Sequence, residues 1–225
     1  MQARSHPAMD MNLSYYHGRS ANDLFYSRYE SMRFQQYDSF FGREILDVGA
    51  GDSFHLDLLT YKGDRKGFAM DLNAQARAEL EKKGYTVYAN LDEIDRQFDT
   101  VFFTHVIEHV SPGQIYDFFN RIVSLIRPGG NCFIISPVSK WFWDTPDHYR
   151  IYDKPAIRTL FRDTGLVEEL CEYQGSQNVA ARVLRLTGLR ETVFRSDSLL
   201  PLYFRLSNFS KRDLVMVGRK PLGQG

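Results

Sequence analysis

From residue 43 onward, short apolar runs alternate with stretches whose apolar residues recur every three or four positions. Short runs of this kind are typical of buried strands, and the stretches between them are typical of amphipathic helices. Strands joined through helices pair in parallel by right-handed crossovers. The sequence therefore predicts a doubly wound α/β fold around a mainly parallel sheet. The predicted strands lie at 45–48, 66–70, 85–89, 100–103 and 131–136.

Turn chemistry predicts where the helices between these strands begin and end. The clearest apolar stripe, at 115–126, follows Ser111 as a predicted cap and Pro112 as a predicted first helical residue. The Arg-Pro-Gly-Gly segment at 127–130 is predicted to end this helix before the fifth strand. Further helices are predicted at 54–61, 74–83 and 154–164.

A length of 225 residues fits a single domain. The segments before and after the predicted α/β core at 43–170 differ from it in sequence pattern and are predicted to be additions to that domain. Residues 1–42 are rich in aromatic side chains with helical spacing from Asn22 onward, which predicts an N-terminal helical flap. Residues 171–225 are predicted to supply the last strands. Within them, 176–208 interleaves leucines with five arginines. This insertion predicts a cap or dimer element, with a helix against a membrane surface or a phosphorylated substrate as the alternative.

The charge balance, the cysteines and the apolar runs of the sequence predict which partners the protein binds and where in the cell it lies. Lys plus Arg and Asp plus Glu each number 28, so the net charge is zero. This balance argues against nucleic acid as the main partner, because phosphate binding requires an excess of basic groups. Cys132 and Cys171 lie in predicted strands, which indicates reduced core residues. No apolar run approaches the roughly 20 residues of a membrane span, and the first ten residues lack a signal-peptide core. A cytoplasmic protein is predicted.

A ligand site is predicted where the strands end, because ligands of doubly wound sheets bind beyond the carboxyl ends of the strands. After the first strand, Gly49 and Gly51 allow a sharp turn and a close approach of a ligand to the main chain. Phe54 stands where the dinucleotide fingerprint requires a third glycine, which disfavours an NAD-dependent oxidoreductase. After the second strand, Asp71 suits hydrogen bonding to a ribose diol, with a helix cap as the alternative.

Five motifs follow one another along the chain. They are the segment 44–52, Asp71, the segment 98–110 ending in Val106-Ile107-Glu108-His109-Val110, Arg127-Pro128-Gly129-Gly130, and Asp147-His148-Tyr149-Arg150. In this order they resemble the class I S-adenosylmethionine-dependent methyltransferases, and within that family the small-molecule branch that contains the ubiquinone-biosynthesis methyltransferases. The resemblance implies the Rossmann-like, seven-stranded methyltransferase fold and S-adenosyl-L-methionine as the cofactor.

The resemblance also implies roles for residues that follow the first two strands. Asp47, Gly49 and Gly51 are expected around the methionine portion of the cofactor. Asp71 is expected to hold the ribose hydroxyls, with Leu72 against the adenine. These residues would bind the cofactor along the carboxyl edge of the sheet.

Further cofactor contacts are expected after the third and fourth strands. Family members place an acid where this sequence has Asn90, whose carbonyl oxygen can still accept a bond from the adenine amino group. Leu91 can offer backbone contacts to the adenine. Asp92 is the alternative to Asn90 for accepting the bond from the adenine amino group. Thr104 and His105, just past the fourth strand, are expected beside the methionine end of the cofactor.

Methyl transfer is an in-line displacement at a sulfonium-activated carbon, so alignment supplies most of the catalysis and a metal is not required. A hydroxyl nucleophile is helped by a general base, for which histidine is the usual residue. His105, His109 and His148 are the predicted catalytic residues, although each could instead only hydrogen-bond within its loop. A His/Cys metal site is not predicted, because neither cysteine has a ligand pair at suitable spacing.

The methyl acceptor is predicted to be a small molecule, most plausibly methylated at oxygen. Flat aromatic faces stack on ring-bearing or sugar-like compounds. The alternative is a catalytically silent S-adenosylmethionine-binding subunit with a regulatory or assembly role. Protein or tRNA methylation is a further alternative, although the Asn/Asp-Pro-Pro-Tyr signature of many amino-group methyltransferases is absent from the sequence. The predicted acceptor-binding residues are Tyr15, Tyr16, Trp141, Trp143 and Tyr149.

Overall fold

The computed structural model describes residues 24–139, 147–175 and 211–223, together with a few separate positions between 186 and 202. Most of the predicted N-terminal flap and most of the predicted insertion at 176–208 lie outside the described residues. The same holds for four of the predicted acceptor-binding residues, which are Tyr15, Tyr16, Trp141 and Trp143.

In the described ranges, seven strands form one sheet. The strands are β1 Glu44–Val48, β2 Lys66–Met70, β3 Thr86–Tyr88, β4 Phe98–Thr104, β5 Ile126–Pro137, β6 Val167–Gln174 and β7 Asp213–Arg219. Their order across the sheet is β3-β2-β1-β4-β5-β7-β6. The first five pair in parallel, and β7 runs antiparallel to both of its neighbours. This arrangement confirms the predicted doubly wound, mainly parallel, seven-stranded sheet.

Five α-helices accompany the sheet in the same ranges. They are α1 Leu24–Gln35, α2 Phe54–Thr60, α3 Ala74–Lys82, α4 Ile115–Ser124 and α5 Lys154–Thr164. None of the helices in the described residues is long and apolar enough to cross a membrane. The bounds of α5 match the prediction because Asp153 caps it, accepting from Ala156 N at 3.0 Å, and Gly165 ends it at φ 80°.

The sheet separates two hydrophobic cores, since successive side chains of a strand point to opposite faces. In β4, Val101 and Phe103 join the core covered by α4 and α5, and Phe102 joins the core covered by α1, α2 and α3. Strands buried on both faces explain the nearly continuous apolar runs of the sequence. Cys132 is buried in β5 and Cys171 is partly buried in β6, both as free thiols, which agrees with the predicted reduced state.

The segment around α4 differs from the prediction at both ends. The Ser111 hydroxyl donates to Gln114 Oε1 at 2.8 Å, and the helix begins only at Ile115, so neither Ser111 nor Pro112 starts it. Ile126, predicted as the last member of the helical stripe, begins β5 and pairs with Phe98 of β4. This pairing with a distant strand outweighs the local helical spacing, so β5 starts five residues earlier than predicted.

A buried polar cluster fixes α1 to the antiparallel edge of the sheet. Arg33 Nη2 donates to Asp213 Oδ2 at 2.9 Å, and Arg33 also donates to Gln174 and to Glu30. Gln174 in turn donates to the Tyr37 hydroxyl. The cluster therefore joins α1 and the turn after it to β6 and β7, and it was not predicted from the sequence.

Candidate active site

The switch in strand order lies between β1 and β4, which are neighbours in the sheet although β2 and β3 separate them in the chain. Chain connections leave these two strands toward opposite sides, which opens a crevice at their carboxyl ends. Asp47 of β1 pairs with Phe102 of β4. Thr104 and His105 therefore lie level with the turn at Gly49, and the two loops form one edge.

The turn after β1 is built on two glycines in the left-handed region, Gly49 at φ 75° and Gly51 at φ 54°. A Cβ at Gly49 would lie 2.6 Å from Val106 Cγ2, so this glycine allows close packing against the loop after β4. A Cβ at Gly51 would have no described atom within 4 Å. The main chain at Gly51 is therefore accessible to a ligand.

Asp71 connects the turns that follow β1 and β2. Its Oδ2 accepts from Gly51 N at 2.8 Å, and its Oδ1 accepts from Asn73 N at 2.8 Å. The cap of α3 is Asn73, so the alternative interpretation of Asp71 as a helix cap is wrong. A carboxylate offers about four acceptor positions, and two remain after these bonds. Beside it, the Leu72 side chain is 77% exposed, as a surface against an adenine ring would be.

Asp47 is a buried acid, 2% exposed, whose Oδ1 has no hydrogen-bond partner among the described residues. Burial and the nearby charges of Asp71, Asp52 and Asp57 raise the pKa of Asp47 well above its usual value. Burial also raises the pKa of Asp52. Grouped acids with an unsatisfied oxygen fit a positively charged ligand and disfavour a pyrophosphate. The sulfonium and ammonium groups of S-adenosylmethionine meet this requirement.

The residues after β3 that are predicted to contact the adenine already accept hydrogen bonds from other protein groups. Asn90 Oδ1 already accepts from Asp92 N at 3.0 Å and from Glu93 N at 3.1 Å, capping the short helix Leu91–Glu93. The Leu91 carbonyl oxygen accepts from Arg121 Nη2 at 2.8 Å. An adenine bond to Asn90 Oδ1 would compete with two backbone donors. The adenine roles of Asn90 and Leu91 stay predictions.

The buried side chain of His55 supports the end of β4. Thr104 Oγ1 lies 3.2 Å from His55 Nδ1, and His55 Nε2 lies 3.9 Å from Glu30 Oε2. These contacts link α1 and α2 to the residue that precedes His105. Nothing in the local pattern around His55 or Glu30 predicts this, because the contacts depend on packing between distant elements.

His105 has the backbone conformation of a residue under constraint, with φ at 56°. Its Nδ1 lies 3.5 Å from Glu108 Oε1 and its Nε2 lies 4.0 Å from Asp213 Oδ1. Burial lowers the pKa of His105, but the Glu108 and Asp213 carboxylates outweigh burial and raise it. An imidazole is thus placed between two buried acids, at the end of the strand next to β1.

The other two predicted catalytic histidines meet beside the same acid. The rings of His109 and His148 pack edge to face with centroids 4.6 Å apart, and His109 Nδ1 lies 3.1 Å from Asp147 Oδ2. Donor atoms of Glu108, His109 and His148 all lie within 4.8 Å of one another. The structure therefore gathers all three predicted histidines around Glu108. The sequence argument against a metal concerned sets that contain cysteine and does not cover this set.

Tyr149 is the one predicted acceptor-binding residue inside the described ranges. Its side chain is 58% exposed, and its backbone N–H donates to the Glu108 carbonyl oxygen at 2.8 Å. This bond fixes the segment after β5 against the loop after β4. The contact of Tyr149 with an acceptor stays a prediction.

The fold is a doubly wound α/β domain, and the acids at its switch point suit a positively charged nucleoside. Residues 32–169 match the family model described as a methyltransferase domain, so the chain belongs to that family. The protein is an S-adenosylmethionine-dependent methyltransferase, as predicted, and S-adenosylmethionine is its cofactor. The match excludes the oxidoreductase alternative. Membership of the ubiquinone-biosynthesis branch stays a prediction.

Solved structures with this fold come from different organisms. An S-adenosylmethionine-dependent methyltransferase from Archaeoglobus fulgidus has a TM-score of 0.64 at 18% identity, with 86% of this chain and 94% of that chain covered. A cyclopropane synthase from Mycobacterium tuberculosis has a TM-score of 0.61 at 14% identity, with 95% of this chain and 91% of that chain covered. Phosphoethanolamine N-methyltransferase 2 from Haemonchus contortus, in complex with S-adenosyl-L-methionine, has a TM-score of 0.58 at 17% identity, with 85% of this chain and 52% of that chain covered. At these identities the likeness supports the fold and no particular acceptor. No curated protein sequence matches the chain significantly.

Proposed function

We propose that this methyltransferase methylates an oxygen atom of a small molecule held beside the end of β4. The observation that carries the proposal is the group of His105, His109 and His148 around Glu108, next to the turn after β1. A hydroxyl nucleophile must lose a proton during methyl transfer, whereas a neutral amine attacks with a lone pair that is already available. A concentration of proton-accepting side chains therefore favours an oxygen acceptor.

S-adenosylmethionine, when bound at the switch point, supplies a methyl group activated by its sulfonium. We expect Asp47, Gly49 and Gly51 to hold the methionine portion, with the unpartnered Asp47 oxygen toward the positive charge. The two remaining acceptor positions of Asp71 suit the two ribose hydroxyls, and the exposed Leu72 suits the adenine. Such positioning can contribute about 7–11 kcal/mol to the lowering of the barrier.

The histidines are proposed to accept the proton of the acceptor hydroxyl while its oxygen attacks the methyl carbon. A general base contributes about 10²–10⁴-fold to such a step. His105 is flanked by the Glu108 and Asp213 carboxylates, which would balance the positive charge on a protonated ring. Tyr149, together with the aromatic residues predicted at 15–16 and 141–143, would then shape the acceptor pocket.

The proposal is tested by incubating the full chain with S-adenosylmethionine and a panel of ring-bearing and sugar-like hydroxyl compounds, each paired with its amine analogue. Release of S-adenosylhomocysteine is measured, and NMR of the product locates the new methyl group. His105→Asn should lower kcat by about 10²–10⁴-fold, and asparagine suits this site because it tolerates positive φ. Tyr116→Phe, on the exposed face of α4, is the control. Turnover restricted to amines would contradict the proposed O-methylation, and turnover restricted to linear acids would contradict the ring-bearing or sugar-like acceptor.

A further inference from the structure

We propose that Glu108, His109 and His148 form a binding site for one divalent transition-metal ion, for which Zn²⁺ is the best-matched candidate. The three side chains come from the loop after β4 and from the segment after β5. Their donor atoms lie within 4.8 Å of one another. The site goes beyond methyl transfer as such, because that reaction requires no metal.

Glu108 provides the main argument for a cation site. Its side chain is fully buried, and neither carboxylate oxygen has a hydrogen-bond partner among the described residues. His105 Nδ1 lies 3.5 Å from Oε1, which is longer than an ordinary hydrogen bond. Burying an unsatisfied carboxylate is costly, and buried charges are normally paired or bound to metals. A bound cation would remove this cost.

His109 is oriented as a metal-binding histidine usually is. Its Nδ1 lies 3.1 Å from Asp147 Oδ2, and a carboxylate there favours the proton on Nδ1 and leaves Nε2 with its lone pair. Such carboxylate–histidine pairs fix the ring in most metal sites. The backbone bond from Tyr149 N to the Glu108 carbonyl oxygen, at 2.8 Å, holds the two loops together. Donor atoms around tetrahedral zinc lie about 3.4 Å apart, so a bound ion would draw the three donor atoms, which lie within 4.8 Å of one another, closer together.

The donor set selects the kind of ion. Two imidazole nitrogens and one carboxylate oxygen suit zinc and neighbouring transition metals, whereas magnesium and calcium prefer oxygen ligands only. Three protein ligands also leave at least one coordination position open, which is the pattern of catalytic zinc sites rather than structural ones.

The open position suggests what the ion does, and this role rests on the proposed O-methylation. A hydroxyl bound to a zinc ion loses its proton more readily than a free hydroxyl. In that step the acceptor oxygen forms its bond to the methyl carbon, and the carbon–sulfur bond breaks with its electron pair moving to sulfur. The hydroxyl proton passes to His105. His109 and His148 would then be metal ligands, and His105 the histidine left for proton transfer.

Metal binding is tested first, without any acceptor. The full chain without an affinity tag is stripped with a chelator, dialysed and titrated with ZnCl₂ by calorimetry, and its zinc content is measured by mass spectrometry. One zinc ion per chain is expected, bound at least 100-fold more tightly than Mg²⁺. His109→Ala, His148→Ala and Glu108→Gln should each weaken zinc binding at least 100-fold, and Asp147→Asn about 10–100-fold. Glu79→Gln, an exposed acid on α3, should have no effect.

The two histidine variants alter partly exposed side chains, so they should keep the thermal stability and the S-adenosylhomocysteine affinity of the metal-free wild type. Absence of saturable zinc binding, or equally tight binding in the folded variants, would overturn the site. A second comparison measures hydroxyl methylation by zinc-depleted and zinc-reloaded protein. Zinc binding without any effect on turnover would overturn the catalytic role alone. Zinc binding in a protein that methylates only amines would instead contradict the proposed O-methylation.

Discussion

Replacing Asp71 with alanine should remove most of the affinity for S-adenosylhomocysteine while leaving the fold intact. Asp71 accepts from Gly51 N and Asn73 N with one position on each oxygen, so each oxygen keeps one position for a ribose hydroxyl. A hydrogen bond to a charged group contributes about 1.5–3 kcal/mol. Two such bonds at the low end of that range amount to about 3 kcal/mol, which corresponds to about 150-fold in Kd.

Thermal unfolding makes this loss visible. A ligand at 100 times its Kd stabilises the native state by about 2.7 kcal/mol, which raises the Tm of a chain of this size by about 5–11 °C. At the same concentration, a variant with 150-fold weaker binding gains only about 0.3 kcal/mol, or about 1 °C. The assay therefore compares melting curves with and without S-adenosylhomocysteine for the wild type and Asp71→Ala. NAD serves as the negative control, because it should cause no shift.

The control for this experiment is Asp64→Ala, which removes an exposed acid from the turn before β2, at the opposite edge of the sheet. It should retain the full ligand-induced shift. The Tm of ligand-free Asp71→Ala reports separately on the two lost backbone bonds. A folded Asp71→Ala protein that keeps the wild-type shift would refute the ribose assignment. A shift with NAD instead would mean that the turn after β1 has been misinterpreted.

Three further predictions concern stability. Arg33→Met removes the guanidinium that contacts the buried Glu30 and Asp213 acids, so urea unfolding should show a loss of about 3–5 kcal/mol in the free energy of unfolding; a loss below about 1 kcal/mol would contradict this. Burial raises the pKa of Glu30, but the Arg33 guanidinium, together with His55 and Arg212, outweighs burial and lowers it to about 2. Because this pKa is depressed, the stabilisation from Glu30 is complete above pH 4.5. About 3 kcal/mol should be lost as the pH falls toward 2, and acid titration of Glu30→Gln should lack this component. Gly130→Ala places a methyl group 2.7 Å from a backbone oxygen of β4 and should cost about 1–3 kcal/mol. Gly113→Ala, with no described atom within 4 Å, should change stability by less than about 0.5 kcal/mol. Both glycine variants are compared with the wild type by differential scanning calorimetry.

The elements that the sequence predicts accurately are those whose boundaries depend on neighbouring residues. The helix α5 begins at its Asp153 cap and ends at Gly165, and both signals lie within the segment itself. The β5 boundary was wrong because Ile126 is held by its pairing with Phe98, 28 positions away in the chain. Apolar spacing alone cannot distinguish the last residue of a helical stripe from the first residue of a strand.

The same distinction applies to the site. Gly49, Gly51 and Asp71 follow strands directly, so their placement at the carboxyl edge follows from the fold. The contacts of His55, Glu30 and Arg33 depend on α1 and α2 packing against the sheet, and no local pattern identifies them. The set of Glu108, His109 and His148 joins two loops about 40 positions apart. Spacing along the sequence therefore does not identify these residues as a group of metal ligands.

The site has two halves, the turn after β1 and the loop after β4, which carry different ionisable groups and lie at the ends of adjacent strands. The turn after β1 offers acids and an open main chain, which suits the cationic cofactor, and the loop after β4 offers imidazoles around one buried acid, which suits proton transfer or a metal. Since β1 and β4 are hydrogen-bonded neighbours, their ends lie only about 4.8 Å apart. Gly49 also packs directly against Val106, two residues before Glu108. Binding at one half is therefore expected to fix the geometry of the other, because any movement of the glycine turn is transmitted through Val106 to the residues proposed to meet the acceptor.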